Sequence, residues 1–80
     1  MKIPVIKKLV ETYTPEELAS AENAISEGEN PAIEVEGDDE GEQLTHVIAA
    51  SWILEEMKDK GLDFKAALRE YTQKVRSSIS

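Results

Sequence analysis

Apolar positions recur at helical spacing in four stretches of the chain, and one stretch differs from the rest. From Leu44 to Met57 the apolar residues spread almost all the way round a helix, through Val47, Ile48, Ala49, Ala50, Trp52, Ile53 and Leu54. A helix with one apolar stripe needs one neighbour, whereas a helix apolar on several sides must be enclosed by its own domain or by a second chain. The spacing gives it a principal face of Leu44, Val47, Ile48, Ser51, Leu54 and Met57 or Lys58, widened by Ala50 and Ile53, with Trp52 on the flank. It is expected to start among the acids from Asp39 to Glu42, which suit the positive end of the helix dipole, and to stop at Gly61 after Lys60.

The other three stretches are more ordinary. Pro4 suits a first helical turn, and Ile6, Leu9, Val10 and Tyr13 follow on one face. Thr14-Pro15-Glu16-Glu17 reads as a capping box that opens a second helix, with Leu18, Ala21 and Ile25 on one side and a stop at Gly28. Its apolar side is thin, which predicts a peripheral element. Asp63 caps a fourth helix with Phe64, Ala67, Leu68, Tyr71 and Val75 on its buried face, ending around Ile79. Because Gly61-Leu62 is a short connection, helices three and four should form an antiparallel hairpin. Between helices two and three, Glu29 to Glu42 holds Asn30-Pro31, two glycines and a run of acids, and reads as an exposed loop. Ile33 and Val35 alternate with acids as a short strand would, and a strand needs a partner that a second chain would have to supply. The pattern therefore predicts a single all-α domain over residues 1–80, built of four helices with an acidic loop before the third.

Composition sharpens this picture. A chain of 80 residues buries only about 60% of the surface its unfolded form exposes, so small domains of this size need help from disulfides, metals or association. With no cysteine, the disulfide and thiolate-zinc routes are closed and oligomerisation is the remaining remedy. Lysines interrupt the N-terminal segment where a secretory leader would be apolar, and the apolar core of helix three falls well short of the roughly 20 residues of a membrane span. The expectation is a cytoplasmic protein without a membrane association. The net charge of −8 is unevenly spread, with +3 over residues 1–10, −14 over residues 11–59 and +3 over residues 60–80. That acidity argues against a nucleic-acid partner, because such proteins need a concentrated basic face to displace counterions. Basic ends around an acidic middle favour self-complementarity instead.

Little of the chain carries chemistry. Glu36, Asp38 and Glu40 fall at the first, third and fifth positions of a calcium loop with Gly41 at the sixth, but the twelfth position is Val47, where a bidentate glutamate is needed. His46, the single histidine, follows Glu42 by one turn, so the two side chains are in range to share a metal or a proton. Two ligands fall short of a catalytic zinc site, and the simpler expectation for His46 is a flanking surface or interface position. Trp52, Phe64, Tyr13 and Tyr71 are too scattered for a base-stacking platform. Lys65, Arg69, Lys74 and Arg76 make the outer side of helix four basic, against an acidic bulk. No phosphate loop, nucleophile elbow or cofactor motif is present, and the sequence predicts neither an enzyme nor a bound cofactor.

The opening Lys2-Ile3-Pro4-Val5-Ile6-Lys7-Lys8-Leu9 and the closing Ala67-Leu68, Lys74-Val75 and Ser78-Ile79 resemble a family of short, acidic, uncharacterised bacterial proteins, a domain of unknown function. The resemblance lies at the two ends of the chain and implies a small helical protein, with no functional residues to carry over. The leading functional expectation is a non-enzymatic interaction module that forms a homodimer by burying Val47, Ile48, Ser51, Trp52 and Leu54. One alternative is a small-ligand or divalent-metal protein using Glu36, Asp38, Glu40, Glu42 and His46; another is an acidic regulator of a basic partner.

Overall fold

The computed structural model describes residues 2–79, with side chains through Ser77. Its regular elements are α1 (Ile3–Thr12), α2 (Pro15–Ser26), α3 (Glu40–Lys60) and α4 (Phe64–Ile79), and no strand occurs among the described residues.

Each boundary has a local cause. Pro15 pushes the preceding residue out of the helical region, and Thr14 is extended at φ −88° and ψ 164°. Tyr13, expected at the end of the first helical face, is likewise extended and lies beyond α1, half-buried against the core. The capping box closes as the sequence requires: the Glu17 amide donates to Thr14 Oγ1 at 3.2 Å and the Thr14 amide donates to Glu17 Oε1 at 3.0 Å. At the other end of α2, the Glu29 amide donates to the Ala24 carbonyl at 2.8 Å and the Gly28 amide to that of Ile25 at 3.0 Å. This Schellman pattern needs the left-handed backbone that Gly28 adopts at φ 78°. Asp39 caps α3 by accepting from the Glu42 amide at 2.8 Å, and Asp63 caps α4 by accepting from the Ala66 amide at 2.8 Å.

Helix α3 is the axis of the molecule. α1, α2 and α4 each pack against it and touch one another only slightly. α4 returns antiparallel to α3, since Lys60 meets Glu70 while Trp52, two turns earlier on α3, meets Tyr71 and Lys74 further along α4. The core joins Val5, Ile6, Leu9 and Val10 of α1, Leu18, Ala21 and Ile25 of α2, Val47, Ala49, Ala50, Ile53 and Leu54 of α3, and Ala67 of α4. The enclosure that α3 demands is thus supplied largely within one chain.

Three expectations need correction. α2 is not peripheral, because Leu18 is fully buried and the helix packs along α3. The buried side of α3 includes His46 and Ala49 and leaves Ile48 exposed, so it is rotated from the face read off the spacing. A helix that is apolar all round has no single stripe to fix its orientation, and three neighbours fix it instead. Val35 and Ile33 need no partner strand either: the segment lies extended on the core, with Val35 buried and Ile33 half-buried.

Candidate functional surface on the α3–α4 hairpin

The ring of His46, inside the molecule, and the outer face of the hairpin both set polar groups against apolar neighbours. His46 is not the flanking surface residue that its position suggested; it is fully buried. Its Nε2 lies 2.9 Å from the backbone nitrogen of Lys2, and its Nδ1 lies 2.8 Å from the carbonyl oxygen of Glu36. Since Lys2 N–H is a donor and Glu36 C=O an acceptor, the ring must be neutral with its proton on Nδ1. Both nitrogens are therefore engaged by the protein's own backbone, and neither is available to a metal or a substrate.

The proposed oxygen ligands do not gather around it. The Glu42 carboxylate accepts from the Asp38 amide at 3.4 Å and Asp39 caps α3, so these acids organise the start of the helix. Among the described residues, no group of three or more histidine and carboxylate side chains is arranged to hold a metal ion. The loop is pinned to α3 closely enough that a Cβ at Gly37 would lie 2.7 Å from Gln43 Cγ and 2.9 Å from the Gln43 nitrogen. That close approach is why a glycine stands there.

On the hairpin, the rings of Trp52 and Tyr71 are 5.6 Å apart at an interplanar angle of 53°, and the Lys74 ammonium sits 5.4 Å from the centre of the Trp52 ring. A tilted aromatic pair with a cation on one face is a favourable quadrupole arrangement. One turn beyond this pair, Ile48 on α3 and Val75 on α4 remain 41% and 38% exposed. At the opposite end of the hairpin Lys60 bridges the helices, 2.9 Å from Glu56 Oε2 and 3.3 Å from Glu70 Oε1. The hydrogen bond from Lys60 holds the Glu56 carboxyl below its ordinary range, and the Glu56 carboxylate in turn raises Lys60. Burial raises the Tyr71 phenol above its ordinary value.

The five residues expected at an interface separate into two groups. Ile48 is exposed and Ser51 and Trp52 are half-buried, so these three reach the surface of the hairpin. Val47 and Leu54 point into the chain's own core. In their place α4 contributes Tyr71 and Val75, which helical spacing had assigned wholly to a buried face. The Tyr71/Lys74 pair at i, i+3 was the available signal, because a lysine beside an aromatic marks a helix edge that touches water.

A family model matches residues 1–80 of this chain, that of the family of unknown function DUF6952. The chain belongs to that family. The DUF6952 match runs through the acidic loop and the Trp52 helix as well as the two ends. No curated protein matches the chain, and no solved structure does. Among the described residues, no helix is long and apolar enough to cross a membrane.

Proposed function

We propose that this DUF6952 protein is a non-enzymatic interaction module that pairs with a second copy of itself through the outer face of α3 and α4. The observation that carries the reading is the pair of large branched side chains, Ile48 and Val75, left at the surface beside the Trp52–Tyr71 contact. The other apolar residues of α3 are buried or half-buried within the chain. Charge favours a second copy as the occupant. Exposed Glu55 and Asp59 lie beside Lys58, Lys60, Lys65 and Arg69 toward the turn of the hairpin, and exposed Lys74 and Arg76 lie toward its other end, so both signs are presented along the face. A two-fold axis across the face brings Glu55 and Asp59 of one copy toward Lys74 and Arg76 of its partner, a pairing that an isologous interface makes twice.

The patch is small beside the roughly 800 Å² per partner of a standard interface, so the association is reversible and concentration-dependent. Light scattering behind size-exclusion chromatography over a concentration series tests it. A mass that rises toward twice 8.9 kDa, and that Trp52→Asp and Ile48→Asp hold at the monomer value while the variants stay helical, supports the pairing. A wild-type chain that stays monomeric throughout, or a dimer that survives both substitutions, refutes it.

A further inference from the structure

We infer that His46 is a pH-sensitive latch that clamps the start of α1 and the acidic loop onto α3 when neutral and releases them when protonated. The inference stands apart from self-association and rests on how α1 begins. Lys2 is the N-cap of α1, yet its side chain makes no capping bond. Its carbonyl accepts from the amides of Val5 at 3.1 Å and Ile6 at 3.3 Å, while its own N–H is held by His46 Nε2. The first turn of α1 is therefore anchored from across the molecule, by a residue 44 positions away. On its other side the same ring donates to the Glu36 carbonyl and fixes the loop beside the close contact of Gly37 with Gln43.

This arrangement admits only one protonation state. A proton added at Nε2 faces the Lys2 N–H, so two donors meet where a bond had been, and a buried charge is left without a counterion in direct contact. Separation of Lys2 from the ring relieves both faults. An imidazole changes charge between about pH 5 and 8, which no other unperturbed side chain does. The charged groups carried by the surrounding elements act in both directions. The start of α1 brings Lys2, Lys7 and Lys8 against Glu11; the loop brings Glu34, Glu36, Asp38 and Asp39; α3 itself brings Glu40 and Glu42. α2 adds Glu16, Glu17 and Glu22, and α4 adds Lys65, Arg69, Glu70, Lys74 and Arg76. The donor clash at Nε2 exists only in the closed state, where Lys2 N–H faces the ring.

Hydrogen exchange followed by NMR at the Val5 and Ile6 amides, between about pH 7.5 and 5.5, tests the latch in the full chain alongside His46→Gln. Gln offers a carbonyl acceptor to Lys2 and does not titrate. If one proton drives release, wild-type protection, corrected for intrinsic rates, falls about tenfold per pH unit below the titration, and the Gln variant stays flat. A flat wild type, or an equal loss in His46→Gln, overturns the inference. Should that variant fail to fold, the ring nitrogens of the wild type decide. Nε2 must appear unprotonated at the higher pH and the α1 amide shifts must move with the ring's titration; a ring that titrates while those amides stand still refutes the latch.

Discussion

Truncating Ile48 to Ala removes the largest exposed apolar contribution to the proposed self-interface while leaving the helix intact. Full burial of an isoleucine contributes about 1.5–3 kcal/mol, and 41% of Ile48 is still exposed in the single chain. Covering that remainder is worth roughly 0.6–1.2 kcal/mol per copy, or about 1.2–2.5 kcal/mol in a two-fold dimer where the residue appears twice. At about 1.4 kcal/mol per factor of ten, Ile48→Ala should weaken the dimer roughly ten- to fiftyfold. The buried part of the side chain contributes to the monomer as well, so a loss of about 1 kcal/mol in folding stability accompanies it, partly offset by the higher helix propensity of Ala. Sedimentation equilibrium from about 10 μM to 1 mM resolves a shift of that size in a weak dimer. An unchanged dissociation constant alongside the lower melting temperature would show that Ile48 serves the monomer alone, and the self-association reading would fall.

Four other outcomes follow from the geometry. Thr14→Ala opens the capping box and should cost about 1 kcal/mol, seen as a lower midpoint in urea with an unchanged slope; no change would mean that α2 is held by Leu18 alone. Gly37→Ala places a methyl against the Gln43 backbone and should destabilise by about 1–3 kcal/mol, with the loop amides losing exchange protection first. The Lys60 bridge sets a pH window. Glu56 is lowered from 4.5, so its contribution is complete above that value and is lost as pH falls through the folded value; Lys60 is raised from 10.5, so its contribution is complete below that and is lost at higher pH. Thermal melts of wild type and Glu56→Gln should converge in acid, and because the Lys60 side chain is exposed, added salt should narrow the difference. In a Tyr13→Phe background the remaining phenol, Tyr71, should ionise above 10.0 by ultraviolet absorbance. The neutral form is the one the fold favours, so this contribution holds below that pH and fails above it; a midpoint at or under 10.0 contradicts its burial against Trp52.

Much of the fold was legible because its punctuation is local. Thr14, Pro15, Gly28, Asp39, Gly61 and Asp63 act on the residues beside them, and every helix boundary they predicted is present within a residue or two. The orientation of α3 was not legible, because residues apolar on all sides of a helix carry no periodic preference for one face, and the outcome depends on which of three neighbours lies where. The place of His46 was hidden for a related reason. Its partners are backbone groups of Lys2 and Glu36, and backbone groups leave no residue-type signature in a sequence. Spacing places Ile48 and Ser51 on one face with Val47 and Leu54, and Trp52 on its flank; the fold separates them, with Ile48 exposed, Ser51 and Trp52 half-buried, and Val47 and Leu54 enclosed by the chain.

The dependence of three helices on α3 also has a consequence in time. When the chain is made from its N-terminus, α1 and α2 are complete long before residues 40–60 exist, and they pack mainly on a helix that has not yet appeared. Isolated helices of 10 and 12 residues are marginal in water. α1 and α2 therefore lack their main packing partner until α3 is made, and native order among these helices waits on α3.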